Sequence, residues 1–193
     1  MTFKKILKIS LVIIFIFFIL NYFSLLFHKK QDNNIDFEML YKNLNIIEQR
    51  EKTFAEFIKY GRKSGDYLSG KLTTEKDELI IIDALQIIGF VGCTSCKDGL
   101  LIFLNDPNWR IRFFALETLE KLEYGEITSL LPNIIKNDSD RRVKIKAIIT
   151  LGKYGSKKDI AFLKELSNQE EYKNKNVNKA INMAILNLKS RHN

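Results

Sequence analysis

The sequence predicts an all-α chain: a single N-terminal transmembrane helix, then an α-solenoid of about four stacked helical hairpins. Three observations carry this: an apolar run near the N-terminus, a period of 32 residues in the second half, and helix punctuation that recurs with it. At 193 residues the chain has room for one domain of ordinary size and a short extra element. The expected divisions are an anchor with basic flanks over 1–30, a linker and amphipathic helix over 31–73, and the repeat domain over 74–190.

The apolar run extends from Ile6 to Phe27, and 17 of its 22 residues are Ile, Leu, Val or Phe. At about 1.5 Å per residue a helix of this length spans roughly 33 Å, the hydrocarbon thickness of a bilayer. Lys8 lies close enough to one end to snorkel, and Asn21 lies near the other interface. A cleaved signal peptide would also begin with bases and an apolar run, but the first Ala is Ala55 and the first Gly is Gly61, so no small-residue cleavage site follows. An uncleaved signal anchor is the expectation. Lys4, Lys5 and Lys8 slightly outweigh Lys29 and Lys30, which places the N-terminus in the cytoplasm and the repeat domain outside.

The formal charge of +8 is concentrated around this run, and the five lysines there leave 26 bases against 23 acids in the rest, a surplus of +3. So small a surplus argues against nucleic acid as the partner. Phe37, Leu40, Leu44, Ile47, Phe54 and Ile58 then fall at heptad spacing over residues 36–60. This predicts one amphipathic helix that packs on the repeats, with Glu51 interrupting any coiled-coil seam. Three glycines in residues 61–72 predict a loop after it.

From residue 74 onward the chain repeats itself. NDPNWRIRFFALETL from Asn105 lies over NDSDRRVKIKAIITL from Asn137, so that Asp106 matches Asp138, Arg112 matches Lys144, Ala115 matches Ala147 and Leu119 matches Leu151. VNKAINMAIL from Val177 is a looser last copy. Thr74 with Asp77, Ser95 with Asp98 and Ser156 with Asp159 have capping-box spacing, and Asp106 before Pro107 predicts an N-cap followed by proline at the first helical position. Gly89, Gly125 and Gly155 stand where left-handed C-cap residues are expected. LIIIDALQIIGF is rich enough in Ile for a buried strand, but its place in the period makes it a helix.

These segments resemble the short HEAT-like repeats of the phycobilisome-lyase type, a HEAT-repeat family whose pattern is an apolar helix, an Asp turn, then Val-Arg and Ala-rich positions. The resemblance covers roughly residues 74–190. It implies an α-solenoid in which Asp106 and Asp138 cap second helices while Arg112 and Lys144 reach neighbouring turns. Asp83 near a small-residue position and Asn178 in place of Arg depart from the pattern in the end copies.

The inventory for chemistry is poor. There are two histidines, His28 and His192, and no metalloprotease, nucleophile-elbow or phosphate-loop motif occurs. No catalytic residue, metal or cofactor is expected. Cys93 and Cys96 form CTSC, which is expected to be a local disulfide in an exported domain, with thiol-redox chemistry as the alternative. The functional expectation is a membrane-anchored scaffold for protein–protein interaction, without catalysis. HEAT-like proteins that bind nucleic acid supply a second alternative. The expected partner face is a basic stripe of Arg142, Lys146 and Lys153, which project within about 40° of one another on one helix. Arg141, Trp109 and Phe113 extend it, and an acidic protein or anionic lipid headgroups would be its ligand.

Overall fold

The computed structural model describes residues 35–191, and among these no strand occurs. The apolar run of residues 6–27 lies outside the described residues, within which no helix is long and apolar enough to cross a membrane. Two compact units divide the chain after Met39. Of the first, the described part is the start of helix α1 (Phe37–Asn43), whose Met39 N–H is held by the Asp36 carboxylate at 2.9 Å.

The second unit, from Leu40, contains α2 (Ile47–Lys59) and then four hairpins. Their second helices are α4 (Glu78–Val91), α6 (Trp109–Lys121), α8 (Arg141–Tyr154) and α10 (Lys175–Arg191). The first helix is α3 (Arg62–Leu72) in the first hairpin. In the second it is the short α5 (Lys97–Leu100) with 3-10 turns on either side. In the third it is α7 (Leu131–Asn137) behind a 3-10 turn, and in the last it is α9 (Asp159–Ser167). Each second helix packs on the next in chain order, which is the arrangement that the period of 32 predicts.

The period fixes which side chains make the core. The N-caps of the last four are Asp77, Asn108, Asp140 and Asn174, spaced 31, 32 and 34 residues apart. Three residues beyond each cap stand Ile80, Ile111, Val143 and Val177. Seven beyond stand Ala84, Ala115, Ala147 and Ile181, and eleven beyond stand Ile88, Leu119, Leu151 and Ile185. All twelve are buried. A helix with buried positions three or four residues apart presents one apolar stripe, and four such stripes in register give one continuous core.

Several expectations need correction. The helix expected over 36–60 is two helices, broken by a turn at Leu44–Ile46 in which the Leu44 and Asn45 N–H groups bond back to Tyr41 and Lys42 carbonyls. The break resets the helical phase, so Thr53 and Phe57 are the buried positions of α2, while Ile47 and Ile58 are exposed. Residues 61–72, expected to be a loop, contain α3. Glycine costs about 1 kcal/mol per residue in a helix, but Gly65 here faces its partner so closely that a Cβ would lie 2.6 Å from that of Cys93. Burial of Leu68 and Leu72 on the same face offsets the propensity. The first hairpin therefore begins ahead of residue 74.

The caps also differ. Asp77, not Thr74, accepts the Leu79 and Ile80 N–H groups. Ser95 caps nothing; its hydroxyl donates to Asp66 at 2.7 Å. Asp106 and Asp138 stand one step earlier than expected, accepting the N–H groups of Asn108 and Asp140, which then cap α6 and α8. Ser156 does receive Asp159, whose carboxylate takes its N–H at 2.7 Å. Among the described residues the positive-φ positions are Gly61, Gly92 and Glu123, not Gly89, Gly125 or Gly155. Gly89 lies inside α4 against Thr118, and the carbonyls of Gly152, in α8, and of Gly155, its C-cap, accept from the Arg191 guanidinium at 3.3 and 2.9 Å.

Candidate functional site

The junctions between repeats are built from the loops upward. In the second hairpin Arg112, four residues beyond its cap, makes a bidentate pair with Asp138 of the third, both bonds 2.8 Å long. Its remaining N–H groups reach the Asp106 and Pro107 carbonyls at 2.8 and 3.0 Å. The side chains are only 10% and 6% exposed, so this is a desolvated, fully hydrogen-bonded rung and not a surface ion pair. Hydrogen bonding to Asp138 raises the Arg112 pKa further, with burial opposing it. The two repeated Asp residues thus turn the chain, and Asp138 also receives the neighbouring repeat's arginine.

At the next junction the same position holds Lys144. It pairs with Glu171, donates to the Lys136 carbonyl at 3.2 Å and lies 5.4 Å from the centre of the Tyr172 ring. Tyr172 stands where Asp106 and Asp138 stand in the earlier copies, two residues before the cap. In α4 the position is Ile81, and the first hairpin is joined instead to α2, where Arg50 pairs with Asp83 at 2.5 Å and Phe54 meets Phe90 edge-on at 6.0 Å.

The expected basic stripe is paired with carboxylates, while Arg142 and Lys153 stay 57% and 54% exposed. Lys146 is 15% exposed and forms a 2.5 Å ion pair with Glu120 of α6. Lys153 reaches the same carboxylate at 3.3 Å, as does the buried Thr150 hydroxyl. Burial pushes the Glu120 carboxyl up, but the hydrogen bonds and charges of Lys146 and then Lys153 outweigh it and hold the group below its usual range. Arg142 turns back to Asp140 at 2.7 Å and stacks on Trp109, with its guanidinium carbon 3.1 Å from the ring centre. That stack takes the place of the Arg110–Glu78 ion pair, 2.8 Å long, one repeat earlier. The stripe faces the preceding helix because positions two, six and ten beyond each cap pack against it.

Of the six expected interface residues, the structure brings Trp109 and Arg142 together and gives Lys146 and Lys153 a shared partner. Phe113 is half-buried and engaged edge-on with Phe114 at 5.5 Å. Arg141 is exposed beside a cleft of about 590 Å³ that runs between the starts of α8 and α10. An apolar groove of about 290 Å³ shares Ile145 and Asn176 with that cleft and continues over Ile149, Ala180, Met183 and Ala184. Sequence reasoning missed this groove and Glu120. Sliding the repeat over itself would have found both, since it sets Glu120 over Gly152, and Lys146 and Thr150 over Ala180 and Ala184.

Cys93 and Cys96 are joined in a disulfide with their Cα atoms 5.5 Å apart, and both are buried. The Asp66 carboxylate joins them in a set of three metal-type donors within 4.8 Å of one another. With both sulfurs oxidised neither is a thiolate, so the set offers a metal one carboxylate. The 3.3 Å approach of Cys93 Sγ to Asp66 is likewise a contact without a proton to share.

The repeat geometry agrees with what comparison finds: no curated protein matches the chain, while residues 97–182, a little under half of it, match a family model described as HEAT repeats, to which this segment is therefore similar.

Proposed function

We propose that the chain is a membrane-tethered HEAT-repeat scaffold that holds a protein partner and catalyses nothing. The observation that carries this reading is the open seam between α8 and α10, in a stack whose preceding seam is closed by ion pairs. HEAT repeats generally serve as interaction scaffolds, and stacked hairpins offer a long, rigid surface for it. The likeness to the phycobilisome-lyase type belongs to this proposal, resting on the Asp turn and the Arg or Lys four residues after the caps of α6 and α8. So does the anchor, which rests on the composition of residues 6–27, with the N-terminus in the cytoplasm and the repeats outside.

The alternatives draw less support. Nucleic acid needs free bases, and here Arg142, Lys144, Lys146 and Lys153 are each held by a carboxylate. Thiol exchange needs an accessible sulfur, and Cys93 and Cys96 are 0% and 4% exposed.

The test is fractionation with crosslinking in cells. The intact chain should stay in the membrane fraction through carbonate extraction, and lysine-directed crosslinking should give protein adducts. A mature N-terminus beyond residue 20 would contradict the tether, and a chain that forms no adduct with any protein would contradict the scaffold.

A further inference from the structure

We infer that the seam between α8 and α10 is a binding groove for a short segment of a partner protein, carrying a carboxylate at one end and a bulky apolar side chain at the other. This rests on the scaffold reading and gives the partner a chemistry.

The groove exists because one repeat lacks the side chains that close the seam before it. Between α6 and α8 the space is filled by Glu120, Lys146 and Thr150. The same three repeat positions between α8 and α10 hold Gly152, Ala180 and Ala184. The helix backbones come so close there that a Cβ on Gly152 would lie 2.6 Å from the Cα of Ala184. Beside this contact Ala180 and Ala184 form the floor. The walls are Ile145 and Ile149 on one side and Met183 on the other, and Ile149 and Met183 are 46% and 54% exposed. Apolar side chains at that exposure, flanking a recess, gain by covering one more apolar group.

The polar end follows from charge. The cleft that adjoins the groove is lined by Arg141, Arg142 and Lys144 against Asp140 and Glu171, and Lys179 stands at the groove itself. Arg142 and Lys144 already hold the two acids. Arg141 and Lys179, both exposed, remain to meet an incoming group, and a carboxylate is what two surplus cations select. From Arg141 to Ile149 the helix rises about 12 Å, which three or four residues of extended peptide cover. The occupant is therefore a segment in which Asp or Glu stands three or four residues from Leu, Ile, Met or Phe.

The test uses the full-length chain in detergent micelles as bait for random peptides displayed on phage. Enriched peptides should share the acidic and apolar pair at that spacing. The consensus, made as a fluorescent peptide, should bind at least tenfold more weakly to Met183→Gln and to Arg141→Glu, both exposed positions whose variants keep the parent melting temperature. Ala180→Lys, which restores the residue of the closed seam, should lose binding, and Lys157→Glu, outside both recesses, should not. A pool without the pair, or unchanged binding by the folded variants, would overturn the inference. It would also fall if no peptide were enriched while vesicles of phosphatidylcholine and phosphatidylserine bound through Arg141, or if Met183→Gln abolished a concentration-dependent self-association, the occupant then being a second copy. A crosslinked partner retained by the Arg141→Glu, Met183→Gln double variant would remove the groove and leave the scaffold; no adduct with either protein would remove both.

Discussion

The seam between α6 and α8 and the seam between α8 and α10 join equivalent repeat positions and present opposite surfaces. In the first, Glu120 gathers Lys146, Lys153 and Thr150 across the space between the helices. In the second, Ala180 and Ala184 floor a recess walled by Ile145, Ile149 and Met183. The difference shows that a repeat's fold is carried by the positions three, seven and eleven residues beyond its cap. Positions six, ten and twelve beyond it are then available either to lock the stack or to open it.

The largest effect is expected at the rung that joins the second and third hairpins. Arg112→Ala would leave the Asp138 carboxylate buried without its partner, and removing one member of such a pair costs on the order of 3–5 kcal/mol. Chemical denaturation of the full chain should show the loss, with the third and fourth hairpins unfolding earliest. A cost under about 1 kcal/mol would mean that the rung behaves as an exposed pair.

A smaller effect separates the open seam from the seam between α4 and α6 by their backbones. Gly152→Ala would force a Cβ into Ala184 backbone and should cost about 1–3 kcal/mol as overpacking. Gly89→Ala, at the same repeat position in α4, meets its nearest neighbour at 3.3 Å, the movable end of Lys121, and should cost little. Equal losses at the two sites would remove the close approach as the reason for the groove's floor.

The smallest of the three is a pH effect confined to the closed seam. The Glu120 carboxyl is lowered in the folded state, so its contribution is fully present above the unfolded value of about 4.3 and is lost as pH falls through the folded one. Glu120→Gln should remove about 1 kcal/mol near neutrality, a figure already discounted for partial exposure. It should also flatten the dependence of melting temperature on pH in the acid range. A variant as steep as the parent there would place the acid lability elsewhere.

How much of this was legible follows from what a single chain can display. The apolar positions and the Asp turns were visible because they recur at nearly constant spacing, and Ala115 over Ala147 marked the helix crossing directly. The helix of Arg62–Leu72 was hidden by its glycines, since the contact that requires Gly65 comes from Cys93, 28 residues away. The basic stripe was visible and misplaced. Arg142, Lys146 and Lys153 do share a face, but which way the face points depends on Glu120 and Trp109 in another helix, and charge counted along one helix cannot show that. The N-caps were misassigned by one step because Asp106 and Asn108, like Asp138 and Asp140, are both good cap residues two apart, and only the geometry decides which one sits at the helix end.

The most direct measurement places a photoreactive phenylalanine analogue at position 117 or at position 149 of the full chain in living cells. The two positions are equivalent, nine residues beyond the caps Asn108 and Asp140, and differ in the seam that each borders. Irradiation should give a protein adduct at 149, mapped to a segment with an acidic residue close to an apolar one, and none at 117. An adduct at 117 alone, equal adducts at both, or none at 149 would contradict the account.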